Sequence, residues 1–157
     1  MVRIVAVAFI FSFLFASSEV LGAPAREIIA RQIGNLQCNI DRLSIVAGLA
    51  TTQGTLKKLS QQFAQSDPNS ASSVESAIDS ISGAQGAIGV IAKALLTGQQ
   101  APAAARDQVA GNLTAALETL VALNSTDTGA TSKTLQEALT ELKDSAAAGQ
   151  GVVDNCK

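Results

Sequence analysis

The chain of 157 residues carries 13 acidic and 11 basic residues, for a formal net charge of −2, and it contains no His, Trp or Tyr. This balance gives no basic field for nucleic acid or for anionic lipid. Without His, the chain lacks the usual base for an activated nucleophile and a common zinc ligand. We therefore expect no enzyme, no metal or cofactor, and no nucleic-acid partner.

The first 22 residues have the pattern of a secretory signal peptide. Arg3 precedes the apolar run IVAVAFIFSFLFA, and small and polar residues follow. The run is too short and wrongly flanked for a membrane span, so we expect no integral membrane span. We place the cleavage after Gly22, with Ala25 as the second choice. The expected product is a secreted, extracellular protein with a single domain over residues 23–157.

The region from Glu27 to Gln65 predicts a long first helix with two apolar sides. At about 100° per residue, the two sets lie on nearly opposite sides of the helix. The first set is Ile29, Ile33, Leu36, Ile40 and Leu43. The second set is Ile45, Leu49, Leu56, Leu59 and Phe63.

Four weak helix formers lie near the middle of this region, namely Gly48, Thr51, Thr52 and Gly54. If the helix is unbroken, its opening turns extend past a four-helix bundle and the first apolar set is left for a ligand or partner. If it breaks at Gly48–Gly54, the leading piece packs as one of five helices. The expected fold is thus an all-α, up-down bundle of four to five helices with a long first helix.

Three more helices are expected after a turn at Asp67-Pro68-Asn69. The second is predicted over Ser72–Leu96, with nearby serines as N-caps. The third runs from near Pro102 to Asn124, and the fourth runs from a cap at Thr131 or Ser132 to Val153. Thr134 and Glu137 also have capping-box spacing. The expected inward residues are Val74, Ile78, Ile81, Ile88, Ala92 and Leu95, then Val109, Leu113, Ala116, Leu117, Leu120 and Leu123, then Leu135, Leu139, Leu142, Ala146 and Val153.

Cys38 and Cys156 are the only cysteines, and a secreted chain predicts a disulfide between them. Closing a loop of this length is worth about 4–5 kcal/mol in the chain-entropy model. With short connections and alternating helices, the end of the fourth helix returns to the level of Cys38. We therefore expect the bundle to contain one disulfide, between Cys38 and Cys156.

Several polar and small-residue patterns have an ordinary structural explanation. Glu137, Glu141 and Asp144 share a helical face, which is typical of a solvated surface. Gly83, Gly86 and Gly89, three residues apart, favour close approach of a neighbouring helix, and a notch for a ligand chain is the alternative. Two N-glycosylation sequons begin at Asn112 and Asn124, and Asn124 is the better acceptor because it lies at a helix end.

The exported helical layout over about Arg26–Val153 resembles the fungal hydrophobic-surface-binding and cell-wall mannoprotein family. Small secreted insect proteins of similar composition are an equally good comparison. The first resemblance implies a secreted helical bundle, some members of which hold fatty acyl chains, and it carries no residue roles because no diagnostic motif is shared.

From these features we expect non-catalytic binding of an apolar ligand (lipid or fatty acid) or of a hydrophobic surface. The face expected to bind is Ile29, Ile33, Leu36, Ile40 and Leu43. The alternative is a structural or signalling component of an extracellular fluid that acts through protein contacts, as a homodimer or with a partner helix.

Overall fold

A computed structural model describes residues 36–123 and 130–156 of the chain. Within these two ranges the secondary structure is entirely α-helical, and it comprises four helices. The helices are α1 (Leu36–Phe63), α2 (Pro68–Leu96), α3 (Ala103–Ala122) and α4 (Ala130–Asn155). The prediction of an all-α protein is confirmed, whereas the variant with five helices is not supported by the described residues.

The helices pack as a four-membered ring. α1 packs most extensively against α4 and also against α2, while α2 packs against α3 and α3 closes the ring on α4. Because each helix neighbours the next along the chain and the last returns to the first, the arrangement is the predicted up-down bundle. In the part of the chain that the structure describes, no helix is both long and apolar enough to cross a membrane.

α1 continues without interruption through the weak segment, so of the two alternatives the continuous helix is confirmed and the break at Gly48–Gly54 is wrong. The hydroxyls of Thr51 and Thr52 donate to the carbonyl oxygens of Ala47 (3.1 Å) and Gly48 (2.9 Å), one turn earlier. These bonds satisfy the threonine hydroxyls inside the helix, and packing of Thr52 in the core outweighs its poor helix propensity. The expected start of this helix at Glu27 lies outside the described residues.

Two predicted helix starts are wrong. α2 begins at Pro68, before the serines, because Asp67 is its N-cap: Asp67 Oδ1 accepts from the backbone N–H groups of Asn69 (3.1 Å) and Ser70 (3.2 Å). Pro68 occupies the first turn, where its missing N–H costs nothing.

α4 begins at Ala130, so neither Thr131 nor Ser132 is its cap. Thr134 lies inside the helix and donates to the carbonyl oxygen of Ala130 (3.0 Å). The predicted capping box of Thr134 and Glu137 is therefore wrong as well.

The core is aliphatic and draws on all four helices. The largest fully buried hydrophobic side chains are Leu49, Leu56 and Leu59 of α1, Val74 and Ile81 of α2, Leu120 of α3 and Leu142 of α4. The predicted inner set of α1 is buried throughout, including Phe63. Three residues expected to point inward, Ala92, Ala146 and Val153, are exposed instead.

Candidate functional site

The candidate site is the outer side of α1, opposite the core. Of the predicted apolar face, Leu36 is 78% exposed, Ile40 45% and Leu43 46%. Ile29 and Ile33, the other two members, lie outside the described residues. The structure therefore leaves three large aliphatic side chains of one helix side in contact with solvent, although the other side of the same helix forms much of the core.

The outer side of α1 is exposed because the core and the neighbouring helices contact the rest of this helix. Its buried residues recur every three or four positions and lie about 180° from Leu36, Ile40 and Leu43. α2 and α4 cover the two flanks: Gln53 Nε2 donates to Ser82 Oγ of α2 (3.0 Å), and Thr55 Oγ1 donates to Glu141 Oε1 of α4 (3.1 Å). α1 thus occupies a corner of the bundle, and its outer side points away from both neighbours.

A disulfide fixes the end of the bundle at which the site lies. The Cα atoms of Cys38 and Cys156 are 5.0 Å apart and the two sulfurs are bonded, as the up-down arrangement predicts. The bond holds the last turn of α4 against the first turn of α1. Cys38 itself is fully buried, although the exposed Leu36 and Ile40 lie only two positions away on either side.

Asp41 reinforces this attachment, and the sequence did not indicate it. Its two carboxylate oxygens accept from Gln37 Nε2 and from Asn155 Nδ2 of α4, each at 2.8 Å. A methyl group on Gly151 would lie 2.8 Å from Asp41 Cγ, so only glycine lets α4 pass this close. The one available signal was an acid in phase with the core-facing side of the helix and a Gln four residues before it, because a carboxylate at a core-facing position needs partners.

Close approach continues along the pair formed by α1 and α4. A methyl group on Gly48 would clash with the hydroxyl of Ser145, a residue that is 1% exposed. One on Gly149 would lie 3.2 Å from Ile45 Cδ1. The two helices therefore contact one another directly along this interface, which leaves no space there for an enclosed ligand.

Exposed apolar side chains from other helices lie near the same end. Cross-helix contacts set the register: Gln53 is level with Ser82, Gly83 with Asn112, and Asp41 with Asn155. Counted from these contacts at about 1.5 Å per residue, six exposed residues fall within about 14 Å along the bundle axis. They are Leu36, Ile40 and Leu43 of α1, Val90 and Leu96 of α2, and Val153 of α4. Val121, near the opposite end, is the remaining large hydrophobic side chain that is exposed among the described residues.

Charge differs between the two ends. The half nearer the disulfide holds three acidic and three basic residues: Asp41, Asp107 and Asp154 with Arg42, Lys93 and Arg106. The other half of the described bundle holds seven acidic and four basic residues. Arg42 is half-buried, and desolvation lowers the pKa of its guanidinium because burial disfavours the charged form. One end is thus neutral and rich in exposed aliphatic groups, and the other is acidic.

The glycines of α2 divide into two kinds. A methyl group on Gly83 would lie 2.8 Å from Asn112 Nδ2 of α3, whereas Gly86 and Gly89 have no atom within 4 Å of such a group. Close helix approach therefore explains Gly83 and does not explain the other two. The amide of Asn112 lies against Gly83, on the side of α3 that faces α2. Asn124, the preferred acceptor, lies outside the described residues.

Within residues 36–123 and 130–156, no group of three or more His, Cys, Asp and Glu side chains is placed to hold a metal ion. Glu141, one of three acids predicted to share a face, instead accepts the hydrogen bond from Thr55.

Comparisons with known proteins found no match: no family model, no curated protein and no solved structure is significantly similar to the chain.

Proposed function

We propose that the protein is a secreted, non-catalytic protein that binds an apolar ligand or hydrophobic surface through the outer side of α1. Leu36, Ile40 and Leu43 provide the described part of this side. Ile29 and Ile33, which the sequence pattern assigns to the same side, lie outside the described residues. The observation that carries the proposal is the exposure of Leu36, Ile40 and Leu43 on a helix whose opposite side packs in the core. Contiguous exposed apolar residues on a small protein mark interaction sites.

The packing favours binding on the outside of the bundle over enclosure of a ligand. The centre of the bundle is occupied by Leu49, Leu56, Ile81, Leu120 and Leu142, which are at most 1% exposed. α1 and α4 approach so closely that even a methyl group at Gly48 is excluded. A lipid chain between the helices would have to displace these side chains, whereas one lying against Leu36, Ile40 and Leu43 displaces only water.

The charge distribution favours an uncharged target. The disulfide half carries equal numbers of acidic and basic residues, and the opposite half is acidic. An anionic surface gains nothing from the neutral half and is repelled by the acidic half. The most favourable orientation therefore places the aliphatic half against an uncharged apolar surface and leaves the acidic half in water.

Partitioning onto hexadecane droplets tests the proposal. The test variant replaces three aliphatic side chains with glutamine: Leu36→Gln, Ile40→Gln, Leu43→Gln. Each aliphatic side chain contributes about 1.5–3 kcal/mol when it is fully buried in the droplet surface. We therefore expect at least a tenfold loss of droplet binding. The matched control is Ala115→Gln, Val121→Gln, Ala122→Gln, which adds three glutamines at exposed positions near the other end. Equal binding by the triple variant and the unchanged protein would rule out this face.

Protein contact through the same face is the second candidate function. The exposed residues at positions 36, 40 and 43 alternate spacings of four and three, which is the spacing of a helix–helix seam. Native mass spectrometry of protein purified from its own secretion separates the two functions. Co-purifying lipid supports the binder of apolar ligands, and a lipid-free dimer supports the contact protein.

A further inference from the structure

The apolar line on the outer side of α1 extends beyond Leu43. It continues with the same alternation of spacings to the middle of the helix, and every member is exposed. At about 100° per residue, all of these positions fall within about 40° of Leu36 around the helix axis. The complete line is Leu36, Ile40, Leu43, Ala47, Ala50 and Gly54.

Side-chain size decreases along this line. The three positions near the disulfide hold Leu, Ile and Leu, and the three toward the middle of α1 hold Ala, Ala and Gly. Ridges on one helix pack best into grooves on another, and facing positions that alternate large and small residues fill the space between them. A helix with large residues at one end of a line and small residues at the other therefore fits against a second copy of itself that runs in the opposite direction.

From this pattern we infer that α1 pairs with α1 of a second copy, antiparallel and about a two-fold axis at the level of Ile45. In this register Leu36 of one copy faces Gly54 of the other, Ile40 faces Ala50, and Leu43 faces Ala47. Each large residue meets a small one, and each contact occurs twice, as an isologous interface requires. A parallel pairing would instead set Leu36 against Leu36 and Ala50 against Ala50, which crowds one half of the seam and leaves gaps in the other half.

The polar residues that border the line are compatible with the same register. The two-fold operation brings Gln37 beside Thr51 on one flank of the seam and Asn39 beside Gln53 on the other, so uncharged groups face uncharged groups. Asp41 and Arg42 are the only charged residues between positions 36 and 56, and Asp41 is turned toward Asn155 of α4. No like charges oppose one another across the seam, which would be the main obstacle to a symmetric contact.

The contact area sets the expected strength. The line is about 27 Å long, and because α1 is a corner of the bundle the contact is essentially one helix against one helix. Such a pair buries less than the roughly 800 Å² per partner of a standard stable interface. We therefore expect a weak, rapidly reversible dimer, with a dissociation constant of about 10–500 µM. The inference concerns the protein in water and does not depend on the proposed apolar target, which would compete for the same residues.

A size exchange across the seam tests the register. Sedimentation velocity of the protein without its signal peptide, from about 5 µM to 1 mM, measures self-association. Leu43→Ala leaves a gap against Ala47, and Ala47→Leu crowds Leu43, so each single variant should weaken the dimer about tenfold. The double variant Leu43→Ala, Ala47→Leu restores a large–small pair at both symmetric contacts and should return to within about threefold of the unchanged protein.

Several results would overturn the inference. A nonspecific apolar patch would associate more strongly after Ala47→Leu, because that substitution adds exposed apolar area. A double variant no better than the single ones contradicts the antiparallel register, and an unchanged protein that stays monomeric at the highest concentration contradicts the dimer. Circular dichroism on the same samples identifies any variant that is misfolded, and the corresponding exchange of Ile40 and Ala50 then replaces it.

The same variants separate this inference from the proposed function. Ala47→Leu should weaken the dimer about tenfold and keep its binding to hexadecane droplets. If the protein is monomeric and binds droplets, only the inferred dimer is overturned. If it is dimeric and does not bind droplets, only the proposed function is overturned.

Discussion

The two sides of α1 use the same kinds of residue at the same spacing and have opposite environments. Leu49, on the inner side, is fully buried, and Leu43, less than two turns away on the outer side, is 46% exposed. Helix periodicity treats the two leucines alike. The difference is set by what faces each of them, since α2, α4 and the core lie against one side and no described element covers the other. An apolar stripe therefore indicates that a surface can be buried, and the neighbouring helices decide whether it is.

The largest expected effect comes from truncating one leucine on each side of α1, which tests whether the two sides differ in burial. Leu49→Ala should lower the free energy of unfolding by about 2–5 kcal/mol, because it removes transfer energy and leaves a cavity. Leu43→Ala, measured at low micromolar concentration, should change it by less than about 0.5 kcal/mol. Urea denaturation followed by circular dichroism gives both values. Similar losses for the two variants would mean that the outer side is also part of the core.

A second test compares two glycines on α1. Gly48 faces α4, and an added methyl group meets the buried Ser145, whose hydroxyl donates to the carbonyl oxygen of Glu141 (2.8 Å). We expect Gly48→Ala to lower stability by about 1–3 kcal/mol through overpacking. Gly54 lies on the outer side with no atom near such a group, so Gly54→Ala should raise stability by about 0.5–1 kcal/mol through better helix propensity.

Thermal melting of the two glycine variants at micromolar concentration measures these opposite signs. A gain in both would show that the two helices can separate enough to admit a methyl group at Gly48. A loss in both would place a further contact on the outer side of α1.

The smallest expected effect concerns the acidic end. The hydroxyl of Ser70, together with backbone N–H groups, lowers the pKa of Asp67. A lowered pKa in the folded state means that the stabilisation is fully present above the pKa of the unfolded chain, about 3.9, and is lost as pH falls through the folded value. The stability difference between the unchanged protein and Asp67→Asn should therefore be constant at neutral pH and shrink below about pH 4.

Melting temperatures between pH 2.5 and 7 follow this difference, with Ser70→Ala as the companion variant because it removes the largest cause of the lowered pKa. A difference that stays constant throughout would mean that the Asp67 charge contributes nothing to the helix cap.

The features that were predictable from the sequence are those that repeat along it. The inner set of α1 was predictable from periodicity, and the meeting of Cys38 with Cys156 from helix lengths and alternating direction. The choice between a continuous and a broken α1 was not predictable, because local propensity at Thr52 opposes the helix and burial against other helices overrides it. The exposure of Val153 was missed for a related reason: its phase matches the inward residues, but it lies near the end of the bundle.

Single contacts between distant residues were also beyond the sequence. The bonds from Asn155 to Asp41, and the glycine at position 151 that makes room for them, depend on two helices meeting at one register. Neither partner is distinctive on its own. The outer line of α1 was only partly recognised, because Ala47, Ala50 and Gly54 gain meaning when their exposure is known.

The bond between Cys38 and Cys156 has a mechanical consequence. It joins the first turn of the first described helix to the residue that follows the last one, at a sequence separation of 118. Tension applied through chain segments outside these two cysteines would travel across the sulfur–sulfur bond, and the four helices between them would carry almost none of it. An oxidised molecule tethered by its two ends should therefore stay folded under forces that extend the reduced one.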